Sequence, residues 1–501
     1  MYLARRNVIW IVGIFSFLAV VVSFQYAEKR LVSLTLPQDY QYFYGLVVRA
    51  GDSNYMPQLS VQPIGKNIFF VGGTNAIEAK DNLYKSIHFE PIKYGTIFLY
   101  QLIPHTEALF LFYSILFFIP LLYFSYVATR KVPGLIVLLL SLLYIFFPSS
   151  INVSAENIRP YNLFAPIILI AYTAILFKRP RWEQITAIGA LVFTREEGLF
   201  FALPLLGIVY LEAYRNRINI WRTIAPYIYI WSLGAIITVF YFFWTGYHFI
   251  ASEYSNIPSW ILPIIFLFLG VMAIIAIIFI TVKKDNFLVG TILLYLTPLF
   301  MFGHRILVDV NFTGDWYTFL KTLIFTFVFG RYYIPVIAII ICLFAAYIAY
   351  KTVFKNKIIV GILVCIIAVS VAVDFLANHG FYKQYVSSKI HTADAFLVWD
   401  TKKYLISTNP RGVVITDTKT MSAFVDYDRA YDFRRLPYWI SGDYMEYPDN
   451  TKSLYELVHN ATYIIISTAS IPEITEIIKR SGMATIIAAE NSSYRIYKII
   501  Q

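Results

Sequence analysis

The stretch ITAIGALVFTREEGLFFALPLLGIVYL, Ile185 to Leu211, decides how the rest of the chain is read. It is apolar except at its middle, Thr194-Arg195-Glu196-Glu197-Gly198, and that break allows two readings. As one membrane crossing it would put every later loop on the opposite side. As a hairpin turning at Thr194 to Gly198 it would return the chain to the side it came from. Basic residues separate the two, because Lys and Arg concentrate in cytoplasmic loops. They occur as Arg5 and Arg6; Arg130 and Lys131; Lys178, Arg179 and Arg181; Arg215, Arg217 and Arg222; Lys283 and Lys284; and Lys351, Lys355 and Lys357. These groups share one side only if Ile185 to Leu211 goes in and comes back.

The surrounding sequence calls for such an arrangement. The chain is 58% hydrophobic and 14% charged, with a mean hydropathy of +0.63, too apolar for a domain that must cover its core with polar surface. Runs of about 17 to 25 apolar residues suit helices crossing a hydrocarbon core, since a helix satisfies its own backbone there. They lie near Val8 to Tyr26, Thr106 to Ala128, Val132 to Pro148, Tyr161 to Phe177, Ile224 to Phe243, Trp260 to Val282, Phe287 to Gly303, Ile334 to Tyr350 and Ile358 to Leu376. Tyr94 to Ile103 is a weaker run. The expected fold class is mainly α: a polytopic transmembrane bundle of about 10 to 12 membrane helices over residues 1–376. An extracytoplasmic α/β domain follows over 377–501. The N-terminus is cytoplasmic in this scheme, and the first span is retained, since no clear small-residue cleavage site follows it.

Three further patterns fit. The Asn-x-Ser/Thr sequons at Asn152, Asn311, Asn460 and Asn491 all fall on segments assigned outside, as glycosylation candidates must. The net charge of +11 sits mainly in short cytoplasmic turns, where orientation and anionic lipid account for it. No nucleic-acid signal accompanies it. Cys342 and Cys365 both lie in spans, so the external domain has no disulfide or thiolate metal site.

The first outer loop, 27–92, is too long for a simple connection, and Tyr40, Tyr42, Phe43 and Tyr44 suit interfacial helices. Beyond Ala377 short β-rich runs alternate with helices. A helix to about Leu405 precedes strands at Val413 to Asp417, Tyr431, Tyr463 to Ser467, Thr485 to Ala489 and Tyr494 to Ile499; helices are expected near Met421 and Leu454 and at Ile471 to Ser481. Asp417 and Arg434 could bind a ligand there. Without a Gly-rich phosphate loop or nucleophile elbow, an accessory or acceptor-facing module is favoured.

Ionisable residues near lipid are costly and therefore draw attention. Asp39, in Gln38-Asp39-Tyr40, could serve as general base or cation ligand; it could equally cap the aromatic segment after it. His88-Phe89-Glu90-Pro91 offers a metal or acid/base pair, or simply a helix start. Arg195, Glu196 and Glu197 read as a functional cluster or as a salt-bridged hairpin cap. In Arg331-Tyr332-Tyr333-Ile334-Pro335 the arginine could clamp a phosphate or snorkel to headgroups. Glu156, Arg159, Arg305, Asp309 and Asp315 complete an outer charged face, clustered at one surface rather than at mid-depth.

Together these features resemble the GT-C class of membrane glycosyltransferases, with an acidic residue soon after span one, a broken hairpin carrying a basic residue, and an Arg-Tyr-x-x-Pro start to a late span. The chain is most similar to an uncharacterised membrane-protein family of that class with His-Phe-Ser-Pro and Thr-Lys-Glu-Asp motifs. It departs from that family in carrying Glu90 for Ser, Arg195 for Lys and Glu197 for Asp. The resemblance implies transfer of a sugar from a polyprenyl (dolichyl) phosphate-linked donor to a glycan, lipid or protein acceptor outside the membrane. Asp39 would deprotonate the acceptor, Arg195 and Arg331 would stabilise the leaving phosphate, and Glu196, Glu197 and Tyr332 would complete the donor site. His88 and Glu90 would orient the donor or, with Asp39, hold a divalent cation such as Mg or Mn. Two alternatives share the scaffold. One is a non-catalytic binder of lipid-linked glycan or a surface scaffold. The other, a transporter, would need inverted repeats and mid-depth charges; the sequence carries no internal repeat.

Overall fold

Helix α1, Arg5–Val32, sets the frame. Val8, Val12, Ser16, Ala19, Ser23 and Ala27 form a buried seam at three- and four-residue spacing, and such small side chains let neighbouring helices approach closely. Its other face exposes Trp10, Ile14, Phe17 and Leu18, a pattern suited to lipid rather than water. The structure is a computed structural model, and it describes residues 4–35, 68–71, 75–78, 91–156, 160–195, 197–245, 334–350, 356–377, 381–409, 412–417, 419–424, 430–432 and 461–500.

Strands β1 (Ile68–Val71) and β2 (Asn75–Glu78) pair antiparallel within the first loop, while Tyr40 to Tyr44, where interfacial helices are expected, lie outside the described residues. The helical part continues with α2 (Ile92–Leu102), α3 (Thr106–Phe118), α4 (Pro120–Ala128), α5 (Gly134–Phe146) and α6 (Pro148–Glu156). After a 3-10 turn at Pro160–Leu163 come α7 (Phe164–Leu176), α8 (Arg181–Val192), α9 (Gly198–Arg215) and α10 (Ile220–Thr245). Next are α11 (Ile334–Tyr350), α12 (Asn356–Leu376) and α13 (Phe381–Thr408). The expected spans Trp260 to Val282 and Phe287 to Gly303 lie outside the described residues.

Among the described residues four helices are long and apolar enough to cross a membrane, or five if the bent pair α5 and α6 is one span. The fold is therefore mainly helical with several apolar spans, compatible with a membrane protein. One continuous core joins α1 and α4 to α9 with α11 and α12.

Among the described residues, the basic turns that hold Arg5, Arg130, Lys178 to Arg181 and Arg222 meet at one end of this bundle. Arg5 donates to the Tyr126 carbonyl at 3.1 Å, and Arg5 and Arg130 both lie over the Tyr126 ring. Arg179 donates to both Glu183 oxygens at 2.9 and 2.8 Å, while the Tyr123 hydroxyl donates to the same carboxylate at 2.7 Å. Lys178 pairs with Glu212 at 2.9 Å, and Arg181 donates to the carbonyls of Arg222 and Thr223. The exposed Lys178–Glu212 pair contributes about 1 kcal/mol or less, while Arg179 and Glu183 are largely shielded from solvent. The value of these contacts here is positional, because they bring the start of α1, the ends of α4 and α7, both ends of the 185–211 stretch and the start of α10 together.

At the C-terminal end, β3 (Val413–Thr416), β4 (Ala430–Asp432), β5 (Ala461–Ser467), β6 (Ala484–Glu490) and β7 (Tyr494–Ile500) form one sheet. Its order is β4-β3-β5-β7-β6, with β4, β3 and β5 parallel and β7 antiparallel to both neighbours. Helix α13 covers one face through Ala395, Val398 and Leu405. Helix α14 (Ile471–Ser481) covers the other through Ile474. The α/β unit is thus present. The helix expected near Met421 is a 3-10 turn, Thr420–Ala423, and the one expected near Leu454 lies outside the described residues.

The sheet domain is seated on the end of α1. Leu34, at φ 55°, turns its side chain into the domain core, where it is 1% exposed. The Trp399 indole donates to the Val32 carbonyl at 2.9 Å, the Lys29 ammonium lies 4.6 Å from the Tyr385 ring centroid, and Tyr26 packs edge-on against Phe381. Leu31 and Ile92 join that cluster, so the end of α1 and the start of α2 both lie beside α13.

Candidate functional site

Ile185 to Leu211 is a hairpin in the structure. The Lys178–Glu212 pair joins the outer ends of its arms, and the chain reverses between Val192 and Gly198. Glycine at 198 is required there, since a Cβ would stand 1.9 Å from the Leu191 carbonyl oxygen. Thr194 donates its hydroxyl to the Ala190 carbonyl at 2.6 Å and closes α8. Across the tip, Arg195 Nε and Glu197 Oε2 form an ion pair at 2.9 Å, with side chains only 9% and 10% exposed. Such a pair is costly to bury, and breaking it by removing one partner typically costs about 3–5 kcal/mol.

The tip lies part-way along the helices beside it. Helix α8 has 12 residues and so reaches about 18 Å from the basic end. A neighbour gives the same answer. Gly234 of α10 packs so closely on Val192 that a Cβ there would meet its Cγ1 at 2.0 Å, and the Trp231 indole donates to the Leu199 carbonyl at 2.9 Å. From Gly234, α10 runs on to Thr245, about 16 Å farther. Arg195 and Glu197 therefore stand beside the middle of an apolar helix.

Two other breaks fall at this level. Helix α5 ends at Phe146, whose ring packs on Phe15, near the middle of α1, and α6 departs at 56°. Helix α7 begins at Phe164, whose ring lies 5.2 Å from Phe201, one turn beyond Glu197. Polar side chains gather around the breaks. Ser23 bonds Ser114 and Ser154 at 2.9 and 2.7 Å, Ser150 donates to the Tyr144 carbonyl, and Asn162 donates to the Val153 carbonyl at 3.0 Å. Ser149 Oγ and Asn162 Oδ1 are buried without a hydrogen-bond partner. The sequence signalled only part of this layer, because scattered Ser and Asn in apolar runs do not announce that three bends coincide.

Of the other site residues, Asp39, His88, Glu90, Glu196, Arg331 and Tyr332 lie outside the described residues, as do Asn311 and Asn460. Asn152 is 7% exposed within α6. Asn491 donates its amide to the Asp394 carbonyl and accepts from Ser493 and Tyr494 N–H groups, so the side-chain nitrogen a glycan would use is engaged. Among the described residues no group of three His, Cys, Asp or Glu could hold a metal ion.

Asp417 is more embedded than a ligand site requires. Fully buried at the carboxyl end of β3, it accepts from the Thr420 N–H and hydroxyl at 2.9 Å each, the Ser467 N–H at 2.8 Å, and the Ser467 and Ser470 hydroxyls. It ties β3 to β5. Burial, then the charges of Asp417 and Asp394, push the Tyr494 phenol well above its ordinary range. Hydrogen bonds from Ser493 and then Ser492 hold the Asp394 carboxyl below its usual value.

No family model matches this chain, and no curated protein matches it.

Proposed function

We propose that the chain transfers a sugar from a polyprenyl phosphate-linked donor to an acceptor on the outer side of a membrane. In this reading the basic end faces the cytoplasm, and the α/β domain stands outside with the donor's lipid tail remaining in the bilayer. The observation that carries the reading is the Arg195–Glu197 pair, buried midway along an apolar bundle. Charge at that depth is expensive and calls for a use, and a guanidinium there can meet a phosphate whose lipid never leaves the membrane. Asp39, seven residues beyond the end of α1 at Val32, is assigned the role of general base, and Arg331 that of a second phosphate ligand.

The test is to incubate membranes containing the full chain with radiolabelled polyprenyl-phosphate hexoses and follow the label. Transfer that Asp39→Asn abolishes without loss of folded protein supports the assignment. Full transfer by that variant removes Asp39 as the base, and no transfer with any hexose leaves a binder of lipid-linked glycan.

A further inference from the structure

We infer that the mid-depth polar layer is the donor headgroup site, with Arg195 taking the phosphate and Ser149 and Asn162 taking sugar hydroxyls. This rests on the lipid-linked donor proposed above but not on any transfer step. Three observations converge. The bundle breaks three times at one level, at Phe147, Leu163 and Phe193 to Glu197, and broken helices at membrane depth are tolerated where they line a site inside protein. The layer already holds a charged pair more than nine-tenths buried by residue, Arg195 at 7% and Glu197 at 8% exposure. It also holds two orphan polar atoms, Ser149 Oγ and Asn162 Oδ1, on residues 0% and 4% exposed.

These groups are neighbours through described contacts. Ser149 is one turn from Val153 on the same face of α6, and the Val153 carbonyl accepts from Asn162. Asn162 is two residues from Phe164, whose ring rests on Phe201, and Phe201 donates its N–H to the Glu197 carbonyl at 3.2 Å. Their chemistry is complementary to a sugar phosphate. Arginine suits a phosphate in exchange for its carboxylate partner, while an unpaired amide oxygen and a hydroxyl suit a polyol. A buried orphan is also something the fold alone does not explain, because leaving one unmade is unfavourable.

The experiment measures thermal unfolding of the detergent-solubilised full chain with farnesyl phosphate, farnesyl-phosphoryl hexoses (glucose, mannose and galactose), farnesol and phosphatidic acid. Farnesyl phosphate should raise Tm and farnesol should not, and at least one hexose ester should bind more tightly than the bare phosphate. Charge removal in Arg195→Gln combined with Glu197→Gln should abolish the phosphate-dependent rise. Ser149→Ala should leave the unliganded Tm unchanged or higher, since it removes an orphan hydroxyl, yet weaken the preferred hexose ester about tenfold. An equal response to farnesol, equal or better binding of phosphatidic acid, or a Ser149→Ala variant that binds every probe like the parent would overturn the assignment. Binding without label transfer would instead leave this site standing and remove the transferase reading.

Discussion

Gly198 and the pair it positions concentrate what a single residue can do in this chain. A Cβ at 198 would collide with the Leu191 backbone, which cannot move aside as a side chain could. Gly198→Ala should therefore cost roughly 2–4 kcal/mol and lower the Tm of the purified chain; an unchanged Tm would mean that the tip is not closed as described. Glu197→Gln alone should destabilise by roughly 3–5 kcal/mol, because it strands the arginine, whereas the paired neutral variant should lose much less. Comparing the three unfolding curves checks the coupling. Asp417 poses the same question in the sheet domain. It accepts five hydrogen bonds, so Asp417→Ala should loosen the junction of β3 and β5 and expose their amides to hydrogen exchange.

Between elements, the informative joint is the one linking α1, α13 and the sheet. Asp394 anchors the β6–β7 turn through Ser492 and Ser493, and its folded pKa is lowered. A depressed carboxyl contributes stability at pH above its unfolded value near 4, and that contribution is lost as pH falls through the folded value. The protection of residues 491–494 against hydrogen exchange, taken relative to the intrinsic rate at each pH, should therefore be high at neutral pH and fall below about pH 4, and Asp394→Asn should flatten that dependence. Leu34→Ala removes a side chain that α1 sends into the domain core and should cost about 2–5 kcal/mol, read as a lower domain unfolding temperature. Helices and strands were largely legible. The period and the flanking residues marked α11, α12 and α14 to within two residues and α1 short by three at its start and six at its end, and the alternation beyond Val413 marked the strands. What escaped was tertiary. Nothing local in Phe146-Phe147-Pro148 says that its bend lies level with Arg195, and the three hydroxyls that surround Asp417 come from segments about fifty residues apart.

Across the whole molecule, the basic turns carried the most information, because one electrostatic bias acts on every loop at once. Their convergence around Tyr126, Glu183 and Glu212 agrees with that reading of 185–211. The depth of the charged pair was not legible, since the sequence shows where an apolar run is interrupted but not how far along its neighbours the interruption falls. The account depends most on the chain returning to its starting side. In a background with Cys342 and Cys365 replaced, Lys131→Cys and Arg217→Cys can each be challenged with a membrane-impermeant maleimide in right-side-out and inverted vesicles. The hairpin predicts that both label only in inverted vesicles, on the side of the N-terminus; labelling of Lys131→Cys and Arg217→Cys from opposite sides would contradict it.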